Sequence, residues 1–135
     1  KKKIVIRNPY SIRPFEHVLE PLAAYLQIAA ADPQKQGYYN VGPKEADCVT
    51  VGTLADLFCE AWGEGITWEN VCEDGPHEAQ FLKLDCSHIR RQIGWKPRWN
   101  IRKAIEKTVE WTKVYAAQGD IRACMEQQIR EFLEV

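Results

Sequence analysis

The spacing of apolar residues along the chain predicts a strand followed by an amphipathic helix. Residues 3–7 have the pattern of a short apolar strand, and Pro9 and Pro14 mark a loop after it. Apolar residues then recur at intervals of three and four, which indicates a helix with one buried face. The segment 32–37, with a Pro and a Gly, ends this helix. Its predicted inner face is Leu19, Leu22, Ala23, Leu26 and Ala30.

Four further helices are predicted, and most of them begin at a residue that can cap a helix. Thr50 is the expected N-cap of the second helix, which stops at Gly63. Ser87 is the expected cap of a short third helix that ends before Gly94, and Asn100 is the expected cap of the fourth. A break at residues 119–120 precedes the fifth. The predicted inner faces are Val51, Leu54, Ala55, Phe58, Ala61 and Trp62; then Ile101, Ala104, Ile105, Thr108, Thr112 and Tyr115; then Ile121, Cys124, Met125, Gln128, Ile129 and Phe132.

Short strands are predicted between these helices. The apolar segments 38–41, 66–68 and 81–84 are the candidates. No internal repeat, low-complexity tract or linker interrupts the chain. We therefore expect one α/β domain over residues 1–135, with about four to five helices.

The composition is that of an ordinary globular protein. Apolar residues make up 45% of the 135 residues, charged residues 27%, and the net charge is -1, so the basic excess of a nucleic-acid or anionic-membrane binder is absent. No apolar run approaches the roughly 20 residues that span a bilayer. The five cysteines include no Cys-x-x-Cys pair. We expect a cytoplasmic protein whose cysteines are reduced packing residues.

The motifs of several common catalytic sites are missing from the sequence. Gly63 and Gly65 follow a predicted helix and precede a strand, the reverse of the order in a dinucleotide-binding turn. None of the five tyrosines has a lysine four residues later, as the catalytic pair of short-chain dehydrogenases requires. The three histidines lack metal-site spacing, and Gly-x-Ser-x-Gly does not occur. We assign no catalytic residue and no metal site, although a Cys–His pair formed by folding stays open.

Three stretches of the sequence resemble a known family. Residues 6–22 contain Arg-Asn-Pro, Ile-Arg-Pro and His-Val-Leu-Glu-Pro; residues 75–85 contain Pro-His-Glu-Ala; and residues 93–97 contain Gly-Trp-Lys-Pro, followed by Thr-Val-Glu-Trp at 108–111. Gly-Trp-Lys-Pro and Thr-Val-Glu-Trp are similar to motifs of extended short-chain dehydrogenases that act on sugar nucleotides. The first stretch and Pro-His-Glu-Ala look like CDP-glucose 4,6-dehydratases in particular. The resemblance runs from the first residues to about Tyr115.

This resemblance implies a fold, a reaction and a cofactor. The chain would be the C-terminal, sugar-nucleotide-binding lobe of an extended short-chain dehydrogenase/reductase, with short strands and no complete Rossmann sheet. Such enzymes are lyases that use bound NAD to convert CDP-glucose to CDP-4-keto-6-deoxyglucose, within deoxysugar and lipopolysaccharide biosynthesis. NAD and the catalytic residues would belong to an N-terminal Rossmann half outside this chain. The chain alone is therefore expected to be inactive, and the full-length protein to be a homo-oligomer.

The resemblance also points to four substrate-binding residues. Arg13 corresponds to an arginine that binds the substrate diphosphate, and a guanidinium suits phosphate oxygens because it offers paired donors. Phe15 is expected to pack on the ribose or the base, or alternatively in the core. His77 and Glu78 lie in the loop that contacts the nucleotide in relatives. That loop often contains an arginine in relatives, and residues 74–78 have none.

Structural roles are the alternative for other polar residues. His17 is expected to pack or hydrogen-bond at the entrance to the first helix rather than to act in catalysis. Asn40 is expected to bond to the backbone beside a Gly-Pro turn.

Two other functions stay open at this point. The chain could belong to an epimerase or to a dehydratase of another nucleotide specificity, or it could be a stand-alone sugar-nucleotide-binding or interaction module. The only methionine is Met125 and the chain begins on a strand, so we expect a fragment. A fragment would expose an apolar face where the other half packs.

Overall fold

The computed structural model describes residues 3–71 and 80–135, and within them the fold is mixed α/β with five helices and few strands. The helices are α1 (Leu19–Ala30), α2 (Val51–Trp62), α3 (Ser87–Gln92), α4 (Ile101–Ala116) and α5 (Ile121–Leu133). The strands are β1 (Ile4–Ile6), β2 (Ile12–Arg13), β3 (Val49–Thr50) and β4 (Trp68–Asn70). The predicted fold class is confirmed, since these strands form no full sheet.

The strands form two separate pairs. β1 lies parallel to β4, and β2 lies antiparallel to β3. The predicted strand at 3–7 is confirmed, whereas the one at 66–68 occurs two residues later. The predicted strand at 81–84 is reduced to a single bridge between Phe81 and Ile12.

The strand predicted at residues 38–41 is absent, and that prediction is wrong. The segment packs against helices instead of pairing with a strand. The ring of Tyr39 stacks on His88 with centroids 4.9 Å apart, and its hydroxyl donates to the carbonyl of Lys35. The Asn40 side chain donates to the carbonyl of Asp85 at 3.2 Å, which confirms its expected structural role.

Two of the three predicted helix N-caps are confirmed. Thr50 Oγ1 accepts from the amide of Thr53 at 3.0 Å, and Asn100 Oδ1 accepts from the amide of Lys103 at 2.9 Å. Gly94 follows α3 with φ of 78°, a left-handed conformation that favours glycine. The prediction that Ser87 caps α3 is wrong, since Ser87 is the first residue of that helix. Asp85 Oδ1 accepts from the amide of Ser87.

The core consists of two adjoining clusters. Ala24 of α1 packs with Cys86, Ile89 and Trp95, and partly buried residues surround them. Trp99 extends this core toward α5 by edge-to-face contacts with His17 and Phe132, at centroid distances of 5.0 and 5.1 Å. The segment 95–99 therefore connects the start of α1 to the end of α5.

Two helices are rotated relative to the predicted inner faces. In α1 the buried residues are Glu20 and Ala24, whereas Leu22 and Leu26 are 46% and 73% exposed. In α4 the buried residues include Lys107 and Val109, whereas Tyr115 is exposed. Buried polar contacts at Glu20 and Lys107 decide these rotations, as described below. No helix in the described part of the chain is both long enough and apolar enough to cross a membrane.

Candidate functional site

Arg13 lies on a short strand that is hydrogen-bonded on both sides. β2 pairs with β3 in a register that places Arg13 opposite Val49. On its other side the amide of Ile12 donates to the carbonyl of Gln80 at 2.9 Å, and the amide of Leu82 donates to the carbonyl of Ile12 at 3.0 Å. The backbone that carries Arg13 is therefore held in place from two directions.

The Arg13 side chain is half-buried. Its Nη1 donates to the carbonyl of Ile12 at 3.1 Å. The loop before β2 is held as well, because the amide of Gly52 donates to the carbonyl of Pro9 at 2.8 Å. A Cβ at Gly52 would come within 3.2 Å of that carbonyl oxygen, so this close approach favours glycine. The first turn of α2 thus supports the loop that leads to Arg13.

Of the other three predicted substrate-binding residues, the structure describes one. Phe15 is half-buried in the connection between β2 and α1, two residues from Arg13. His77 and Glu78 lie outside the described residues. The residues on either side of the segment 72–79 bond to the chain around Arg13: Val71 donates to the carbonyl of Ile6, and the carbonyl of Gln80 accepts from Ile12.

His17 has the structural role that was expected. It is buried, its Nδ1 accepts from the amide of Leu19 at 3.2 Å, and its ring meets Trp99 edge to face. Burial lowers the pKa of His17, and the nearby charge of Lys107 lowers it further. His17 is thus a neutral imidazole whose Nδ1 holds the first turn of α1.

The main feature that the sequence did not reveal is a pair of carboxyl groups, those of Glu16 and Glu20, which each have a buried oxygen atom and lie four residues apart in the sequence. Glu20 is fully buried, and its Oε1 accepts from the amides of Arg98 at 2.8 Å and Trp99 at 2.7 Å. The Oε2 atoms of Glu16 and Glu20 are buried without a hydrogen-bond partner among the described residues. The spacing of 16 and 20 was a weak signal, because glutamates in a helical pattern usually face solvent.

The environment of this pair favours the protonated carboxyl. Burial, and then repulsion from Glu20, raise the pKa of Glu16 to about 7. Burial also raises the pKa of Glu20, although the amides of Trp99 and Arg98 and the charge of Arg98 oppose that shift.

Beside this pair lies a groove of about 500 Å³ between the start of α1 and the helices α4 and α5. We call it the apolar groove. Glu16 and His17 lie at its edge, and its remaining lining is mostly apolar: Val18, Leu19, Leu22, Thr108, Trp111, Met125, Gln128 and Ile129.

A network of ion pairs and hydrogen bonds around the buried Lys107 joins α4 to α5 next to this groove. Lys107 Nζ contacts Glu110 at 2.9 Å and Glu131, and Gln128 donates to the carbonyl of Lys107 at 2.9 Å. Burial lowers the pKa of Lys107, but the hydrogen bonds and charges of Glu131 and Glu110 outweigh it and leave the pKa raised. Lys107 is thus a paired cation with a structural role.

The described thiols do not have the character of nucleophiles. Cys86 is buried, Cys48, Cys59 and Cys124 are half-buried, and all four are free. Burial raises the pKa of each thiol above its usual value. A thiol is weakly reactive when its pKa is raised, so these residues fit the expected packing role.

Comparisons with known proteins give two kinds of relative. No protein-family model matches the chain. Over 98% of its length the chain is 37% identical to the CDP-glucose 4,6-dehydratase of Salmonella typhimurium, and the match covers 38% of that protein. It is also 29% identical over 101 residues to the dTDP-glucose 4,6-dehydratase of the same organism, which is 69% of this chain and 27% of that protein. The dTDP-glucose 4,6-dehydratase of Escherichia coli is 32% identical over 81 residues, 54% of this chain and 22% of that protein. The chain thus spans well under half the length of the curated relatives it matches.

Proposed function

Since this chain belongs to the sugar-nucleotide 4,6-dehydratase family by its sequence, we propose that it is the substrate-binding part of a CDP-glucose 4,6-dehydratase. We choose CDP over dTDP as the nucleotide because of how much of the chain each similarity covers. The similarity to the CDP-glucose enzyme extends over nearly the whole chain, whereas the similarity to dTDP-glucose enzymes covers 69% of it or less. The reaction is the loss of water from CDP-glucose to form CDP-4-keto-6-deoxyglucose.

The described residues do not fit the NAD that such an enzyme uses. Pyrophosphate binding needs a glycine turn that leads from a strand into a helix N-terminus. Gly63 and Gly65 instead follow α2 and precede β4. We therefore assign NAD and the catalytic residues to a Rossmann half outside residues 1–135, and derive no chemical step from this chain.

The role that we assign to Arg13 is binding of the substrate diphosphate. A guanidinium can donate two parallel hydrogen bonds to phosphate oxygens. The paired backbone of β2 fixes the point on the chain from which this side chain extends. Phe15 is assigned to the ribose or the base, and His77 and Glu78 to further contacts with the nucleotide.

The experiment uses the longer product of the gene, supplied with NAD and with CDP-glucose, dTDP-glucose or UDP-glucose in parallel. We expect a 4-keto-6-deoxy sugar from CDP-glucose alone. Product from dTDP-glucose would show that dTDP-glucose is the substrate. A dTDP-glucose 4,6-dehydratase is the second candidate function, because two of the relatives have that name. An epimerised sugar as the product would show that the enzyme is an epimerase and not a dehydratase. No product from any of the three would leave a binding module and contradict the proposal.

Arg13→Ala tests the assigned residue within the same assay. The loss of one or two charge-assisted hydrogen bonds, each worth about 1.5–3 kcal/mol, should raise KM for CDP-glucose by at least roughly tenfold. The matched control is Arg122→Ala, an exposed arginine on α5 that pairs only with its own helix neighbour Glu126 in the described contacts. An unchanged KM in Arg13→Ala would remove Arg13 from the substrate site.

A further inference from the structure

Helix α1 is apolar on the side that faces solvent as well as on the side that faces the core. Its only charged residue, Glu20, is fully buried. Leu22, Tyr25 and Leu26 are exposed, and so is Val18 just before the helix. A helix on the surface of a globular domain normally has a charged outer face, whereas a helix that is apolar all round is buried.

The other long helices of the same domain show the normal pattern. α4 exposes Arg102 and Glu106, and α5 exposes Arg122 and Glu126. The absence of charge is therefore a property of α1 and not of the whole surface. We call Val18, Leu22, Tyr25 and Leu26 the α1 face.

The α1 face and the apolar groove form one surface. Val18 and Leu22 belong to both, and Met125 and Ile129 of α5 continue the apolar wall on the far side of the groove. Both of these α5 residues are exposed. An apolar surface of this kind, rimmed by polar residues, marks an interaction site.

One polar group at the edge of the groove also lacks a partner. Glu16 lines the groove, and its Oε2 is buried without a hydrogen bond in the part of the chain that the structure describes. An unsatisfied buried polar group is costly, so it favours any occupant that brings an N–H or O–H donor. The occupant is thus expected to be mainly apolar with one donor near Glu16.

The length of the relatives identifies this occupant. The match covers 38% of the CDP-glucose 4,6-dehydratase, so most of a protein of that kind lies outside residues 1–135. We propose that the remaining part of the longer protein docks on the α1 face, inserts apolar side chains into the groove and donates a hydrogen bond to Glu16. This inference rests on the proposed function in one respect only, namely that the chain is part of such a longer protein.

The test substitutes Leu26→Glu in the longer gene product without substrate. Leu26 is 73% exposed in this domain, so the substitution should cost the domain itself little. If Leu26 is covered by the rest of the protein, the buried charge should lower Tm by at least about 5 °C. It should also let limited proteolysis release the domain from the rest in gel filtration. The matched control is Leu133→Glu, which is 64% exposed at the end of α5 and outside the α1 face.

Each other outcome contradicts the proposal in its own way. Equal behaviour of Leu26→Glu and Leu133→Glu would show that nothing covers the α1 face. Conversion of a dimer to a monomer, with the domain still attached to the rest after proteolysis, would assign a second copy as the occupant. A gene that encodes no further residues would remove the proposed occupant. Because no substrate is used, a protein that fails the dehydratase assay can still pass this test.

Discussion

Glu20 shows how one side chain connects distant parts of the chain. Its Oε1 accepts two backbone amides from residues 98 and 99, nearly eighty positions away. Those amides belong to the turn that carries Trp95 and Trp99 into the core. The carboxylate therefore determines which side of α1 faces inward. The sequence did not predict this, because a glutamate beside Leu19 and Pro21 has no local feature that marks it as buried.

Glu16 gives a prediction about the dependence of stability on pH. Its pKa is about 7 in the folded protein and near 4.5 when it is unfolded, so the folded state binds this proton more tightly. The contribution of this bound proton to the free energy of unfolding is complete below about pH 4.5, and it is lost as pH rises through about 7. Glu16→Gln carries no titrating proton there. We expect it to gain stability relative to the unsubstituted chain between pH 5 and pH 8, measured as the shift of the urea midpoint.

The comparison between variants is needed because the lowered pKa of His17 changes stability with pH in the opposite direction. Its pKa is lowered, mainly by burial, so its contribution to stability falls as pH decreases. Glu106→Gln, on the exposed side of α4, is the control and should follow the unsubstituted chain at both pH values. A Glu16→Gln variant that also follows it would show that Glu16 is ionised normally in the folded state.

Helix ends were predictable where their caps are local in sequence and not where they are distant. Asn100 was identified as the cap of α4 from its position alone. The structure adds Asp47, whose Oδ1 accepts from the amide of Ile101 at 3.0 Å. This second contact spans more than fifty residues, so it depends on how the 3-10 turn at Glu45–Asp47 packs against α4.

The two caps of α4 give a prediction about stability. Asn100→Ala and Asp47→Ala each leave one amide of the first turn without its partner, and each should cost about 1 kcal/mol of unfolding free energy. Because the caps accept from different amides, those of Lys103 and Ile101, the double variant should lose roughly the sum. Urea denaturation measures all three, with Lys96→Ala, an exposed residue in the otherwise largely buried turn before α4, as the control. A double variant no less stable than either single one would mean that only one cap matters.

Apolar periodicity and capping residues together located the five α-helices of the described residues, but apolar periodicity assigned the wrong inner face to α1. The method assumes that the more apolar side of a helix faces the core of the same domain. α1 breaks this assumption because its apolar residues lie on two sides, and the buried side is the one that carries Glu20. In α4 the buried Lys107 misled the prediction for a related reason, since its charge is neutralised by Glu110 on the same helix and by Glu131 on α5.

At the scale of the whole molecule, the candidate site was only partly predictable. Arg13 was predicted as a site residue because the resemblance covers it, whereas the strand β2 that carries it was predicted as part of a loop. The structure shows that β2 is held by hydrogen bonds on both sides. The carboxyl pair and the groove could not be found in this way, because they arise from three segments that meet only in the folded chain. Among the described residues, the proposed contacts to a sugar nucleotide are those of a single arginine, Arg13, and of an aromatic neighbour two residues away, Phe15.

This small contribution leads to a prediction about binding by residues 1–135 alone. Two hydrogen bonds from Arg13 to phosphate would supply about 3–6 kcal/mol. Association itself costs about 4–15 kcal/mol, so little net affinity remains. We expect the chain alone to bind CDP-glucose with a Kd above roughly 1 mM, which corresponds to about -4.1 kcal/mol. The longer protein should bind in the micromolar range, because a site between two domains surrounds the ligand. Isothermal titration of both proteins, with Arg13→Ala in each, makes the comparison. Micromolar binding by the chain alone would show that its own residues complete the site, and the missing contacts would then have to come from this domain.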